Sequence, residues 1–184
     1  MIGLVVSLAL TLQAPGAACP VGVELDGPEG RAWDSLPLTA LQTVGTHNSY
    51  KQAIPPAELA ALIAQNPDVA ALDYSHPALS NQLDAGMRNL EIDFVYDPEG
   101  GRYANPLMPA MMAGQDGSTP YDATQMDAPG FKVLHIPDID VRTSCATLIA
   151  CMSEIRDWSL AHPDHAPIMV MFNAKTGGID APGA

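Results

Sequence analysis

The sequence predicts an α/β fold and, more closely, the N-terminal half of a (β/α)8 barrel, or TIM barrel. Strand-like and helix-like segments alternate along the chain, and the later strand candidates are almost wholly apolar. Such strands are typical of a parallel sheet that helices cover on both faces. His47 and Asn173, which follow the first and fourth strand candidates, are 126 residues apart, and three strand-to-strand steps over this distance imply about 42 residues per unit. Eight such units need roughly 340 residues, so this chain is expected to hold an incomplete barrel.

The predicted elements follow one another as strand, helix, strand, long unpatterned segment, strand, helix and strand. The four strand candidates are Leu38–Gly45, Met87–Tyr96, Phe131–Ile136 and Pro167–Phe172. Helices are predicted over Pro56–Gln65, Ser80–Gly86 and Ala146–Ala161, from an initial proline or from apolar residues at near-helical spacing. A small open sheet, complete in itself, is the alternative. We favour the half-barrel because four parallel strands in an open sheet would leave two unpaired edges.

The first 19 residues have the pattern of a secretory signal peptide. The apolar run Ile2–Leu12 is too short to span a bilayer, and small residues follow it. Because no Lys or Arg precedes this run, the alternative is a first hydrophobic helix of the fold. Export to the periplasm or the exterior is the expectation, and lipidation at Cys19 is a secondary one because Gly16 stands where Leu is usual. A polar lead-in is predicted over residues 20–37 and the incomplete barrel over residues 38–184.

Charge and cysteine content restrict the partners. The net charge is −13 with only eight Lys and Arg residues, which argues against nucleic acid as a partner, since phosphate backbones are bound by clustered cations. A phosphate substrate would therefore need a bound metal cation. No feature indicates an obligate protein partner. Cys145 and Cys151 are expected either to form a local disulfide, as an exported protein allows, or to be two small buried thiols.

Two carboxylates lie on one face of the second strand candidate. Strand side chains alternate, so Glu91 and Asp93 share a face while Leu90 and Ile92 share the other. Two carboxylates on a buried strand repel each other unless a cation lies between them, and hard divalent ions prefer oxygen ligands. The pair therefore predicts a metal site. The alternative is a surface pair on a half-exposed strand.

Two histidines are predicted at the same rim as these carboxylates. His47 and Asn48 follow the first strand candidate, and His135 lies near the end of the third. In parallel barrels, catalytic residues gather at the carboxyl ends of the strands. One histidine can accept a proton and the other donate one, while a cation stabilises charge on phosphorus. We therefore predict His47 and His135 as catalytic residues, with Asn48 as a neutral oxygen ligand.

Three segments of the chain carry a family resemblance. The segments GTHNSY (45–50), LDYSHPALSNQLDAGMRNLEIDFVYDPEGGRYANP (72–106) and FKVLHIPDIDVRTSC (131–145) resemble the calcium-dependent phosphatidylinositol-specific phospholipase C family, a group of phospholipase C-like phosphodiesterases. The resemblance implies a barrel that binds Ca2+ and acts transiently at a membrane surface. It implies cleavage of a phosphoinositide or related phosphodiester, with an inositol hydroxyl as nucleophile, into diacylglycerol and an inositol phosphate.

The resemblance also assigns residues by position. His47 and His135 match the catalytic histidines, and the matches to calcium ligands are Asn48, Glu91 and Asp93. Asn173 stands where eukaryotic members carry a fourth ligand, a glutamate, which implies weaker calcium binding, and Lys175 on the same face is expected to approach the substrate phosphate. The alternatives are a glycerophosphodiester phosphodiesterase, which uses similar chemistry on soluble substrates, and a non-catalytic exported barrel protein.

Overall fold

A computed structural model describes residue 33 and residues 35–175. The predicted signal peptide, Cys19 and most of the predicted polar lead-in lie outside the described residues. The strands are β1 Gly45–Thr46, β2 Asn89–Asp97, β3 Gly130–Lys132 and β4 Met169–Lys175. The α-helices are α1 Pro56–Gln65, α2 Leu79–Asp84, α3 Leu107–Met112 and α4 Leu148–Ala161, and short 3-10 turns cover Leu38–Ala40 and Pro67–Leu72. In the described part of the chain, no helix is long and apolar enough to cross a membrane.

The four strands form one sheet built around β2. On one edge of β2, β4 runs parallel to it along its length, from the pair Asn89 and Met169 to the pair Val95 and Lys175. On the other edge, β1 pairs in parallel with the start of β2, and β3 pairs with its end in the antiparallel direction. The predicted α/β fold with a parallel sheet is therefore confirmed at this coarser level, with three parallel strands and one antiparallel strand.

The first and third strand predictions were wrong in extent, and the third also in direction. In the first region, Gly45–Thr46 pairs with β2. The hydrogen bonds to this region begin at Val44, whose carbonyl accepts from the N–H groups of Arg88 and Asn89. The third strand ends at Lys132 and runs antiparallel to β2. Its apolar continuation, Val133–Leu134, is fully buried between two core clusters. The apolar run therefore indicated burial, and it carried no information about strand direction.

The main core lies on one face of β2. Leu90 and Ile92 are completely buried there, against residues of α2 and α4 that include Leu83, Ile155 and Trp158. Helix α4 starts later than predicted because the Thr147 side chain accepts a hydrogen bond from the N–H of Ala150 and so caps the helix. Because this core holds Leu90 and Ile92, the opposite face of β2 is the one that carries polar side chains.

A disulfide joins Cys145 to Cys151 and links the loop before α4 to its first turn. The two alternatives for this cysteine pair are thereby resolved in favour of the disulfide. The outer edge of β4 has no strand partner within the described residues. Two large apolar side chains on β4 are about half exposed, Met171 at 54% and Phe172 at 51%.

Reduction of this disulfide is expected to lower the free energy of unfolding by about 2 kcal/mol, because a sequence separation of six closes only a short loop. Urea unfolding of the full chain, followed by circular dichroism with and without reductant, measures the difference. The C145A/C151A double variant is the matched control, and its unfolding should not respond to reductant. Equal wild-type stability in both conditions would contradict a stabilising disulfide.

Candidate active site

Two buried carboxylates form the centre of the candidate site. Glu91 and Asp93 lie on the face of β2 opposite Leu90 and Ile92, as the alternation predicted. Glu91 is 9% exposed and Asp93 only 1%. The alternative of a surface carboxylate pair is therefore wrong. Charges this far from water need compensation by nearby cations or hydrogen-bond donors.

The turn after β1 is fixed against Glu91 by its backbone. The N–H of Ser49 donates to the Glu91 carbonyl at 2.9 Å, and the N–H of Glu91 donates to the Ser49 hydroxyl at 2.9 Å. The N–H of Asn48 lies 3.3 Å from Glu91 Oε2, and His47 Nε2 lies 3.7 Å from the same oxygen. Gly45 allows this approach, because a Cβ atom there would clash with the Asn89 carbonyl. His47 and Asn48 are therefore brought directly to the first carboxylate.

The donor oxygens of this site suit a hard cation. Asn48 takes a left-handed φ of 50°, which asparagine tolerates, and its Nδ2 donates to the Tyr74 hydroxyl at 2.7 Å. Its Oδ1 is left buried without a hydrogen bond, and so is Oδ1 of Asp93. Buried polar atoms usually have partners, so these two oxygens are available to bind a cation. Carboxylate and amide oxygens are the ligands that Ca2+ prefers.

Within the described residues, no three His, Cys, Asp or Glu side chains are grouped as a metal site. The candidate set instead combines two carboxylates with amide oxygens. Asn173 lies beside Asp93 in the register of β2 and β4, and its side chain is exposed. The candidate ligand set therefore carries fewer negative charges than a site built from carboxylates alone.

Lys175 lies on a carboxylate, whereas the sequence placed it toward the substrate phosphate. Its Nζ is 2.6 Å from Asp93 Oδ2 and also donates to the backbone carbonyl of His135. The Lys175 side chain is 25% exposed, so one end of the pair is accessible to solvent. Lys175 therefore joins the carboxylate pair on β2 to the segment that carries His135.

His135 reaches the site by a different route from the predicted one. It was expected at the carboxyl end of a parallel strand, but it follows the antiparallel strand β3. The N–H groups of His135 and Ile136 donate to the carbonyl of Asp140, at 3.2 and 3.0 Å, and close a tight turn. The turn positions His135 Nδ1 2.7 Å from Asp140 Oδ2. His135 is linked to the carboxylates through Lys175, whose ammonium group contacts both the His135 carbonyl and Asp93.

Sequence reasoning missed the residues that support His135. Asp140 is buried, and its Oδ1 lies 3.4 Å from Nζ of Lys51, which is completely buried. Lys51 also donates to the carbonyls of Leu72 and Tyr74, both at 2.9 Å. Two signals were available: an acidic residue five positions after a histidine, and a lysine directly after HNSY in a chain with few cations.

Two tyrosines line this region, Tyr50 completely buried and Tyr74 partly buried. Burial raises the pKa of Tyr50, and the negative charge of Asp93 raises it further. Burial also raises the pKa of Tyr74. Both phenols are therefore protonated at neutral pH, and the Tyr74 hydroxyl lies 3.5 Å from His47 Nδ1.

A shallow pocket opens beside His47, whose side chain is 71% exposed. The pocket has a volume of about 260 Å³ and is lined by Gly45, Thr46, His47, Asn89, Glu91 and Met171. The arrangement can bind a cation and presents His47 at an open surface. It also provides a second histidine, His135, which the buried carboxylate of Asp140 orients. Those are the elements of metal-assisted acid–base chemistry on a phosphodiester.

Comparison with known proteins gives one match. The model of a family described as Ca2+-dependent phosphoinositide phospholipase C matches residues 36–183, which is most of the chain. Searches of curated proteins and of solved structures return no match. The matched range includes every residue of the candidate site.

Lys51→Met is expected to lower the free energy of unfolding by about 3 kcal/mol, because it leaves the buried Asp140 carboxylate without its cation. The K51M/D140N double variant should regain part of this loss, since it removes both charges. Urea unfolding of the two single variants and the double variant gives the coupling energy, expected to be roughly 1 to 3 kcal/mol. Additive effects would show that the two buried charges do not stabilise each other.

Proposed function

The chain belongs to the Ca2+-dependent phosphoinositide phospholipase C family, and from this premise we propose that it cleaves phosphatidylinositol-type lipids with two histidines and a calcium ion. Family membership supports phosphodiesterase activity in general. The observation that carries the finer proposal is that both histidines are connected to the carboxylates of β2. Glu91 faces the first histidine, and Lys175 connects the second to Asp93.

Calcium would be held by Asn48, Glu91 and Asp93, with Asn173 beside them as a neutral donor. The two unpartnered buried oxygens of Asn48 and Asp93 support this assignment. Bound there, the ion supplies positive charge for the phosphate oxygens. The chain itself, at a net charge of −13, offers little other attraction for an anionic substrate.

The two histidines transfer the protons. Asp140 accepts a hydrogen bond from Nδ1 of His135, so Nε2 is the nitrogen available for exchange. In the proposed reaction, an inositol hydroxyl oxygen attacks phosphorus and its proton passes to one histidine. The bond between phosphorus and the diacylglycerol oxygen breaks, and that oxygen takes a proton from the other histidine. The product is a cyclic inositol phosphate that water can open.

We further propose that residues 38–184 form the first half of a (β/α)8 barrel. The candidate metal ligands come from the turn after β1, from β2 and from β4, as barrel strands would supply them. The outer edge of β4, with Met171 and Phe172 half exposed, suits pairing with a further strand. The Cys145–Cys151 disulfide supports export through the proposed signal peptide at residues 1–19, since disulfides persist in oxidising compartments.

The full-length protein is expected to cleave phosphatidylinositol vesicles in the presence of Ca2+ and to lose activity in EGTA. His47→Ala and His135→Ala should each reduce turnover roughly 100-fold or more. Preference for soluble glycerophosphoinositol would instead favour a glycerophosphodiester phosphodiesterase. Full activity of both histidine variants would exclude the proposed mechanism, and inactivity on both substrates would favour a non-catalytic barrel.

Asp140→Asn is expected to lower kcat roughly 100-fold, with little change in KM, because the amide no longer fixes the protonated nitrogen of His135. The 15N NMR chemical shifts of the His135 ring nitrogens should show a change of tautomer. Asp138→Asn is the matched control, since the Asp138 side chain accepts a hydrogen bond from the N–H of Leu107 and not from the His135 ring. Equal kinetics for the two variants, measured below their melting temperatures, would contradict a role for Asp140 in positioning His135.

A further inference from the structure

We infer that Lys175 is a built-in competitor of calcium at Asp93 and so sets the affinity of the metal site. This inference rests on the proposed function. Its physical basis is that Asp93 is a ligand for two cations: the calcium ion and the ammonium group of Lys175, which belongs to the adjacent strand β4. Loading of the site would then require the ammonium group of Lys175 to leave Asp93.

The geometry places Lys175 where it neutralises a metal ligand. Its Nζ lies 2.6 Å from Asp93 Oδ2, while Asp93 Oδ1 remains buried and without a hydrogen bond. The β2–β4 register puts Lys175 beside Val95, two residues along from the pair of Asp93 and Asn173. The lysine is therefore attached to the strand that flanks the carboxylates and reaches them without a long connecting loop.

The charge balance of the site favours this competition. The candidate ligands contain only two carboxylates, because Asn173 contributes a neutral amide. With Lys175 paired to Asp93, one of those two negative charges is already compensated. A divalent ion must therefore either share Asp93 with a cation of like charge or displace it, and both lower the affinity for the ion.

The accessible side chain allows displacement. Asp93 is 1% exposed and fixed, whereas the Lys175 side chain is 25% exposed and can move on its flexible stem. Once an ion occupies Asp93, the ammonium group becomes available for an anionic substrate phosphate. This second state reconciles the observed ion pair with the predicted approach of Lys175 to phosphate.

Isothermal titration of the full chain with CaCl2, after removal of metal with EGTA, tests the inference. Lys175→Met is expected to tighten the Kd for Ca2+ by at least about tenfold relative to wild type. Arg156→Met is the matched control, because it changes the net charge equally at an exposed position paired with Asp157. Its Kd should lie within about twofold of wild type.

Unchanged or weaker Ca2+ binding by K175M, with wild type binding normally, would overturn the inference and leave the proposed function intact. Binding by K175M alone would support it. No binding by wild type or K175M would overturn the calcium requirement of the proposed function together with the inference. Should K175M fail to fold without metal, Lys175→Gln keeps an N–H donor for Asp93 without the charge and is expected to tighten Kd in the same direction.

Discussion

The structure depends on keeping two carboxylates on one buried face of β2. Glu91 and Asp93 cannot turn outward, because the opposite face carries Leu90 and Ile92 into the main core. Their charges therefore require compensation from neighbouring elements. The backbone N–H of Asn48, in the turn after β1, donates to the Glu91 carboxylate, and Lys175 on β4 forms an ion pair with Asp93. The strand order around β2 therefore also provides the groups that compensate the two buried negative charges.

A second buried charge network supports the other half of the site. Lys51 follows directly after the HNSY segment, and its ammonium group lies 3.4 Å from the Asp140 carboxylate that orients His135. The network joins the turn after β1 to the turn after β3. His135 is therefore held by buried groups, whereas the His47 side chain is largely exposed. A fixed His135 suits proton exchange at a defined position.

The sequence was informative where a local pattern determines the structure and silent where tertiary contacts do. Alternation on β2 was enough to place Glu91 and Asp93 together, and the end of the first strand candidate placed His47 and Asn48. The direction of β3 was not predictable, since the apolar pair Val133–Leu134 reports burial alone. The partnership of His135 with Asp140 depends on a turn without periodicity. The position of Lys175 depends on the β2–β4 register, which no local pattern specifies.

The central claim is that the face of β2 that carries Glu91 and Asp93, called its inner face, holds a calcium ion beside two histidines. Anomalous scattering from crystals of the full-length protein grown with Ca2+ tests this claim most directly, because it locates the ion without reference to activity. The account predicts one anomalous peak bounded by oxygens of Asn48, Glu91 and Asp93, with the Lys175 ammonium group moved away from Asp93. A peak at another position, or none at the inner face of β2 under saturating Ca2+, would contradict the account.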